Sequence, residues 1–312
     1  MASVVRAGGR RIEVTSLDRI IFPGPKLTKG DIIDYYRQVA RWMVPHVRDR
    51  PANLQRFPGG IDSSGFFQQE MPQHFPDWIR SVVVAKEGGE VRHVLLQDAA
   101  TLVYVANQGT ITPHVWPSRA DRLQRPDRMI FDLDPPGDAP EDVRRAALSV
   151  RDLLAELELP AFVMTSGSRG YHVVVPLARR ADFDTVRAFA RDAAELLALR
   201  EPGLTTHVRK DRREGRILVD TLRNAYAHTS VPPYAVRARP EAPVAAPIGW
   251  DELKERGMHP RRVTVKTVLA RLGDGGDPWS GIGKQAASLG AARKRLDALV
   301  RERNPRAVNM SA

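Results

Sequence analysis

The 312-residue chain contains no cysteine. Disulfides, thiolate catalysis and cysteine-ligated zinc are therefore excluded, and the default compartment is the cytosol. Long hydrophobic runs are missing too: none approaches the roughly 20 residues needed to cross a bilayer. The opening segment, MASVVRAGGRRIEV, lacks the apolar core of roughly 7–15 residues that marks a signal peptide. There is no internal repeat and no low-complexity block. Acid is in short supply, 37 Asp and Glu against 48 Lys and Arg, giving a formal charge of +11 and a pI of about 10.3. Such an excess favours a polyanionic partner, because each neutralised phosphate releases counterions. A GC-rich genome that favours arginine gives the same count, so charge alone leaves the partner open. No basic amphipathic anchor with bulky aromatics is evident, and no membrane partner is expected.

Hydrophobic residues make up 42% of the chain, enough for a globular protein with one large core or two lobes sharing a cleft. Helix and strand signals alternate, which argues a mixed α/β organisation. Thr28 and Asp31 form a capping pair ahead of Ile32, Ile33, Tyr35, Tyr36, Val39, Ala40 and Met43, so a helix is expected from about Lys29 to Met43, before Pro45. Apolar stripes predict further helices over 141–158 and 184–199. Strands are expected at 129–133, 161–165, 171–176 and 216–220. Residues 201–215 read as loop, 232–247 as extended chain, and 284–312 as a basic amphipathic helix ending in a polar tail.

The strongest chemical signal is Ile130-Phe131-Asp132-Leu133-Asp134-Pro135-Pro136. Residues i and i+2 of a strand share a face, so Asp132 and Asp134 project together while Phe131 and Leu133 point into the core. Two carboxylates this close repel unless a cation neutralises them, and oxygen ligands suit Mg²⁺ or Mn²⁺. Asp220 ends another apolar strand and could close the same site. Three carboxylates can hold two metals roughly 3.5–4 Å apart, the arrangement used for in-line phosphoryl transfer. A strand ending in D-x-D also opens haloacid-dehalogenase phosphatases, but there Gly-Thr follows, and here two prolines do.

Between two strands lies Thr165-Ser166-Gly167-Ser168-Arg169-Gly170. Its glycines let backbone N–H groups approach an anion, with hydroxyls and Arg169 beside them. A plain hairpin turn reads the same way. His172 follows on an alternating strand, either beside a phosphate or as a structural residue. Arg223 is close enough in sequence to reach a phosphate held at Asp220. Arg237 and Arg239 would share a strand face, where two guanidiniums invite a triphosphate between them or pair with Glu241 or Asp251.

Together, MIFDLDPPG, FVMTSGSRGYHVVVPL, ILVDTLRN and TSVPPYAVRARPEAPVAAPIGWDEL closely resemble the polymerase domain of bacterial DNA ligase D, within the archaeo-eukaryotic primase superfamily. LDRIIFPGPKLTKGDIIDYY, RPANLQRFPGGIDSSGFFQQEMP and ITPHVWPSR match as well, so the likeness covers roughly residues 12–280. It implies an α+β fold: a primase-like catalytic core with mixed and antiparallel sheets, flanking helices and two lobes around one cleft. The catalytic domain would span 1–282, and 283–312 would be an appended basic helix and tail. The metal triad falls on Asp132, Asp134 and Asp220, holding two Mn²⁺ or Mg²⁺ ions. Phosphate and sugar contacts fall on His114, Ser166, Arg169, His172, Arg223, Arg237 and Arg239. Position 169 is often Lys in the family, and position 223 varies. The 5′-phosphate of a gap would meet Lys29 and Arg19, with Arg56 assisting. Phe66 and Phe67 match aromatics that stack on template bases.

The resemblance further implies addition of NTPs or dNTPs at DNA gaps or ends during non-homologous end joining, beside Ku and a DNA ligase. No ligase or phosphoesterase domain is evident, so the chain is expected to be a stand-alone relative or a domain of a larger protein. Two rival readings are a non-catalytic DNA-end binding module and the phosphatase.

Overall fold

The computed structural model describes residues 2–303, and the expected polar tail lies outside them. The chain begins with a hairpin, β1 (Ala2–Ala7) and β2 (Arg10–Thr15), then a small pair, β3 (Ile20–Phe22) and β4 (Leu27–Thr28). Helix α1 (Lys29–Val47) follows. Its capping box is made: the Thr28 hydroxyl accepts from the Asp31 amide at 3.2 Å and the Asp31 carboxylate accepts from the Thr28 amide at 2.7 Å. All seven apolar residues expected on its inner face are buried. The helix runs past the expected stop at Pro45, because a proline in the last turn removes one backbone bond without displacing its neighbours. Strands β5 (Pro51–Arg56), β6 (Phe66–Gln68), β7 (Ser81–Lys86) and β8 (Gly89–Leu95), helix α2 (Ala99–Asn107) and strand β9 (Thr110–Val115) complete a first lobe. Its sheet is ordered β6-β5-β8-β7, with β9 also on β5.

The second lobe is a six-stranded sheet flanked by helices. In chain order it comprises β10 (Arg128–Asp134), α3 (Pro140–Glu156), β11 (Phe162–Thr165), β12 (Tyr171–Pro176), α4 (Phe183–Arg200), β13 (Leu204–Thr205), β14 (Ile217–Asp220) and β15 (Pro247–Ile248). Three helices follow: α5 (Trp250–Leu253), α6 (Val268–Gly275) and α7 (Leu289–Arg303). The sheet order is β13-β14-β10-β12-β11-β15, antiparallel except for β13 with β14. This is the mixed α+β fold expected. Helices α3 and α4 and strands β10, β11, β12 and β14 match their predicted positions within two residues. Helix α1 ends four residues later than expected, and the C-terminal helix starts at Leu289 and not near 284. The expected loop at 201–215 contains the short strand β13, and 232–247 is irregular chain tied by isolated bridges.

Strand alternation divides the core in two. Met129, Phe131 and Leu133 pack with the inner faces of α3, α4 and α7. Ile130, on the opposite face of β10, joins the core of the first lobe, as do Met164 and Val174. The second lobe thus presents one sheet face to its own helices and the other to the first lobe. Arg128, Asp132 and Asp134 share that second face with Ile130.

Candidate active site

Pairing register builds the carboxylate cluster. Asp132 lies directly opposite His172 on β12 and opposite Asp220 on β14, so the three occupy neighbouring positions across three strands. Asp134 sits two residues on, at the end of β10 where Pro135 stops the strand. Each of the three aspartates offers an oxygen within 4.8 Å of the others. The donors are carboxylate oxygens, a set that fits a hard divalent cation such as Mg²⁺ or Mn²⁺. Close backbone contact behind them is possible only because residue 170 is glycine. A Cβ there would fall 1.7 Å from the Leu133 carbonyl oxygen.

The charges are arranged unequally. Burial alone would raise the Asp132 carboxyl. His172 Nε2 at 3.3 Å and Arg223 Nε at 3.3 Å outweigh that and hold it well below the usual carboxylate range. Asp134 has neither partner, and burial plus the charges of Asp132 and Asp220 push it up to about 6. Asp220 is also raised by burial, although the Leu222 amide donates to it at 2.7 Å. Crowded carboxylates of this kind lack a compensating positive charge at their centre.

A small pocket of about 120 Å³ joins Asp132, Asp134 and His172 to His114, Ser166, Ser168, Arg223 and Arg237. That volume accommodates the reacting end of a ligand and not a whole nucleotide. Ser166 stands at the head of the β11–β12 turn, where Gly167 adopts φ +62°. Its hydroxyl oxygen accepts from the amides of Ser168 and Gly170, each at 3.2 Å. Those two amides therefore turn inward, leaving the Ser166 hydroxyl proton as the outward donor. Arg169 is exposed on the rim. Burial pushes His114 down to about 3, helped by Arg237, Arg223 and His172, so its ring is neutral near pH 7. Its Nε2 is buried without a hydrogen-bond partner.

The expectation that Arg237 and Arg239 share a strand face is overturned. The Arg239 amide bonds to the Arg237 carbonyl at 2.8 Å, a tight turn that breaks the two-residue alternation. Arg237 lines the pocket, with burial pushing it down to about 10, while Arg239 is exposed outside that lining. The first lobe holds Arg237's backbone. The Tyr36 hydroxyl accepts from the Val236 amide at 3.1 Å, and Thr112 donates to the Val236 carbonyl at 2.6 Å.

The remaining candidates gather on the first lobe. Lys29 Nζ, at the start of α1, bonds to the Thr15 carbonyl at 2.7 Å, and its amide bonds to the Arg19 carbonyl at 2.8 Å. Burial and the neighbouring Arg19 lower the Lys29 pKa. Arg19 itself donates to the Pro58 carbonyl. Phe66 and Phe67 lie on edge strand β6, and both are exposed, 47% and 56%. Neither is a core residue, so the alternation that would bury one of them does not operate here. Phe66 lies under the Arg56 guanidinium at 5.3 Å, and Phe67 packs edge-on against His114 at 5.3 Å. Arg56 also bonds to the Gln108 carbonyl and to Gln68.

Two residues at the site escaped sequence reasoning. Ser230 lines the pocket and bonds through its backbone to Val115 in both directions, 2.9 and 3.0 Å, pinning the lobes together beside His114. Asn224 bonds through its side chain to the amide and carbonyl of Ile130, fixing β10 at the row that carries Asp132. Asn224 ends the ILVDTLRN run, a position that could have marked it.

A family model described as "LigD, primase-polymerase domain" matches residues 28–279. The multifunctional non-homologous end joining DNA repair protein LigD of Mycobacterium tuberculosis is 33% identical over 281 residues, covering 87% of this chain and 37% of that protein. Its Pseudomonas aeruginosa counterpart is 32% identical over 94% of this chain and 35% of that protein. The bifunctional LigD of Bacillus subtilis is 31% identical over 86% and 44%. The chain thus spans less than half the length of these relatives. Among solved structures, the polymerase domain of M. tuberculosis ligase D in complex with DNA superposes with a TM-score of 0.83 and 31% identity, over 89% of this chain and 99% of that one. These likenesses leave the phosphatase reading of the D-x-D without support. The chain belongs to the LigD primase-polymerase domain family.

Proposed function

We propose that this protein is a template-directed nucleotidyltransferase that adds NTPs or dNTPs to a primer 3′-hydroxyl at DNA gaps or broken ends. The observation that carries the reading is the convergence of Asp132, Asp134 and Asp220, with Arg223 and Arg237 lining one pocket beside the first two. The relatives' names, which place them in end joining, and the DNA-bound polymerase domain that superposes on this chain support it.

Two Mn²⁺ or Mg²⁺ ions held by the three aspartates would lower the pKa of the primer hydroxyl and offset charge on the leaving pyrophosphate. His172 and Arg223 keep Asp132 ionised and fixed in direction. Arg237 and the Ser166 hydroxyl hold the triphosphate in line, and neutral His114 offers a hydrogen bond without a charge. Arg169 and Arg239 guide phosphates from the rim. Lys29 and Arg19 hold the 5′-phosphate across the gap, and Arg56 steadies Phe66 while Phe66 and Phe67 stack on template bases. Residues 1–282 carry the proposed catalytic groups, and the basic segment after them, expected to be an appended helix, packs Leu289, Ala292 and Leu296 of α7 into the core of the second lobe. Ku and a DNA ligase are the partners assigned in end joining or gap-filling repair, in the bacterial cytoplasm at the nucleoid. Among the described residues no helix is long and apolar enough to cross a membrane.

The test is extension of a gapped duplex with and without a 5′-phosphate, in Mn²⁺ and Mg²⁺, with ribo- and deoxyribonucleotides. Metal-dependent extension lost in Asp132→Ala supports the reading. DNA binding without any extension would instead make the chain a non-catalytic end-binding module.

A further inference from the structure

The sheet face that carries the aspartates has a second charged site at its other end. Arg128 begins β10 on the same face as Asp132, about 13 Å away at the usual rise per residue. It lines a cavity of about 450 Å³ with Arg41, Arg50, Arg119, Asp127 and Asp277. Asp277 is engaged through both oxygens and Asp127 through Oδ2, while Asp127 Oδ1 is buried without a hydrogen-bond partner. Asp127 accepts from Arg50 at 2.7 Å and Arg119 at 2.8 Å. Asp277 accepts from the Tyr234 hydroxyl at 2.6 Å and the Trp279 amide at 2.9 Å, and meets His46 Nε2 at 2.9 Å.

The cations are not so well matched. Arg50 is fully buried, and each of its three donor nitrogens has a partner. Arg128 is 8% exposed and makes one long hydrogen bond, 3.3 Å to the His46 carbonyl. Its Nε stands 3.7 Å from Asp127, beyond hydrogen-bond distance. Arg41 lies at the mouth, stacked 3.7 Å over the Trp42 ring, with an exposed guanidinium. Four arginines against two carboxylates leave two positive charges in a half-enclosed space. A desolvated guanidinium with most of its donors unspent calls for an anion, and its fork matches tetrahedral oxyanions.

We propose that this cavity is a second oxyanion site, which binds a phosphate group through Arg128 and Arg41, with Arg119 beside them. The phosphate is either free, as orthophosphate or pyrophosphate, or carried by a nucleotide. The site is separate from the aspartate pocket, so it neither needs a metal ion nor depends on the polymerase reading.

Calorimetric titration of the full chain in EDTA tests it, with pyrophosphate, orthophosphate and adenosine monophosphate as probes, in an Arg237→Gln, Lys29→Ala background that disables the first pocket and the proposed 5′-phosphate grip. One saturable site at millimolar or lower pyrophosphate is expected. Arg41→Glu, an exposed change, should weaken it by about 10-fold or more. Arg128→Gln should abolish it in protein whose melting curve shows it folded. Equal affinity for orthophosphate and the mononucleotide means a phosphate alone is read, while a tighter mononucleotide means the nucleoside is held as well. Absence of binding, or binding untouched by Arg41→Glu, overturns the proposal.

Discussion

The second lobe places its three clustered aspartates on paired strands, where register decides their spacing. The first lobe carries its cations and exposed aromatics on a helix start, a turn and an edge strand. Asp132 is locked between β12 and β14 and cannot move without disturbing the sheet. Phe66 and Phe67 stand in solvent on β6, three residues long. In the proposed reading, chemistry that tolerates errors of no more than a fraction of an ångström falls on the rigid side, and contacts with a long, variable polymer fall on the adaptable side.

The sharpest way to break that contrast is Asp132→Ala. A metal-bound oxygen contributes several kcal/mol to the transition state, so extension should fall by about 1000-fold or more. DNA binding should persist, because the DNA contacts proposed above lie on the first lobe. Extension at near wild-type rate, measured on a gapped primer gel, would separate the carboxylates from the chemistry.

Gly170→Ala tests the rigidity itself. Its new Cβ would overlap the Leu133 carbonyl, so β10 and β12 must part. The expected cost is about 4 kcal/mol or more, read from denaturant unfolding, with activity lost alongside it. A variant that unfolds like the wild type would mean that this backbone approach is slack.

Lys29→Ala probes the adaptable side. Losing one charge-assisted bond to a phosphate costs about 1.5–3 kcal/mol, so the preference for a 5′-phosphorylated gap should drop by about 10- to 100-fold. Binding assays on matched gaps with and without the phosphate measure it. Equal preference before and after the change would remove Lys29 from the interface. Phe66→Ala and Phe67→Ala should each weaken template binding by about 1–3 kcal/mol while leaving the melting temperature nearly unchanged, since both rings are exposed.

The same contrast explains what could be read in advance. Helices α3 and α4 carry long apolar stripes, and β10, β12 and β14 are short apolar runs with chemistry at their ends, so the second lobe was legible. The first lobe is built from strands of two to seven residues whose pairing depends on distant partners; only α1, with its capping pair and buried face, announced itself. Asp220 could be suspected from the Ile217-Leu218-Val219 run before it, but its position opposite Asp132 is a register, which no local pattern encodes. Arg237 and Arg239 went astray for the same reason. The two-residue rule assumes extended chain, and a turn at Ala238 cancelled it. Ser230 left no signal, because its role depends on Val115 in the other lobe.

The smallest effect expected is also the most diagnostic of how the rigid side stores its function. Asp134 is raised to about 6, above its ordinary value, because it is buried next to two other carboxylates. Its ionised form is therefore disfavoured by folding. The penalty is absent below about pH 4, where the group is protonated in both states, and complete above about pH 6. Asp134→Asn keeps the shape and removes the charge. In EDTA at pH 7.5 the variant should be more stable than the wild type by about 1–2 kcal/mol, a difference that disappears toward pH 4. Added Mn²⁺ should reverse the order, stabilising the wild type more than the variant. Thermal melts across pH, with and without the ion, read both changes. A variant less stable than the wild type at neutral pH without metal would mean that the three carboxylates are not held against their own repulsion.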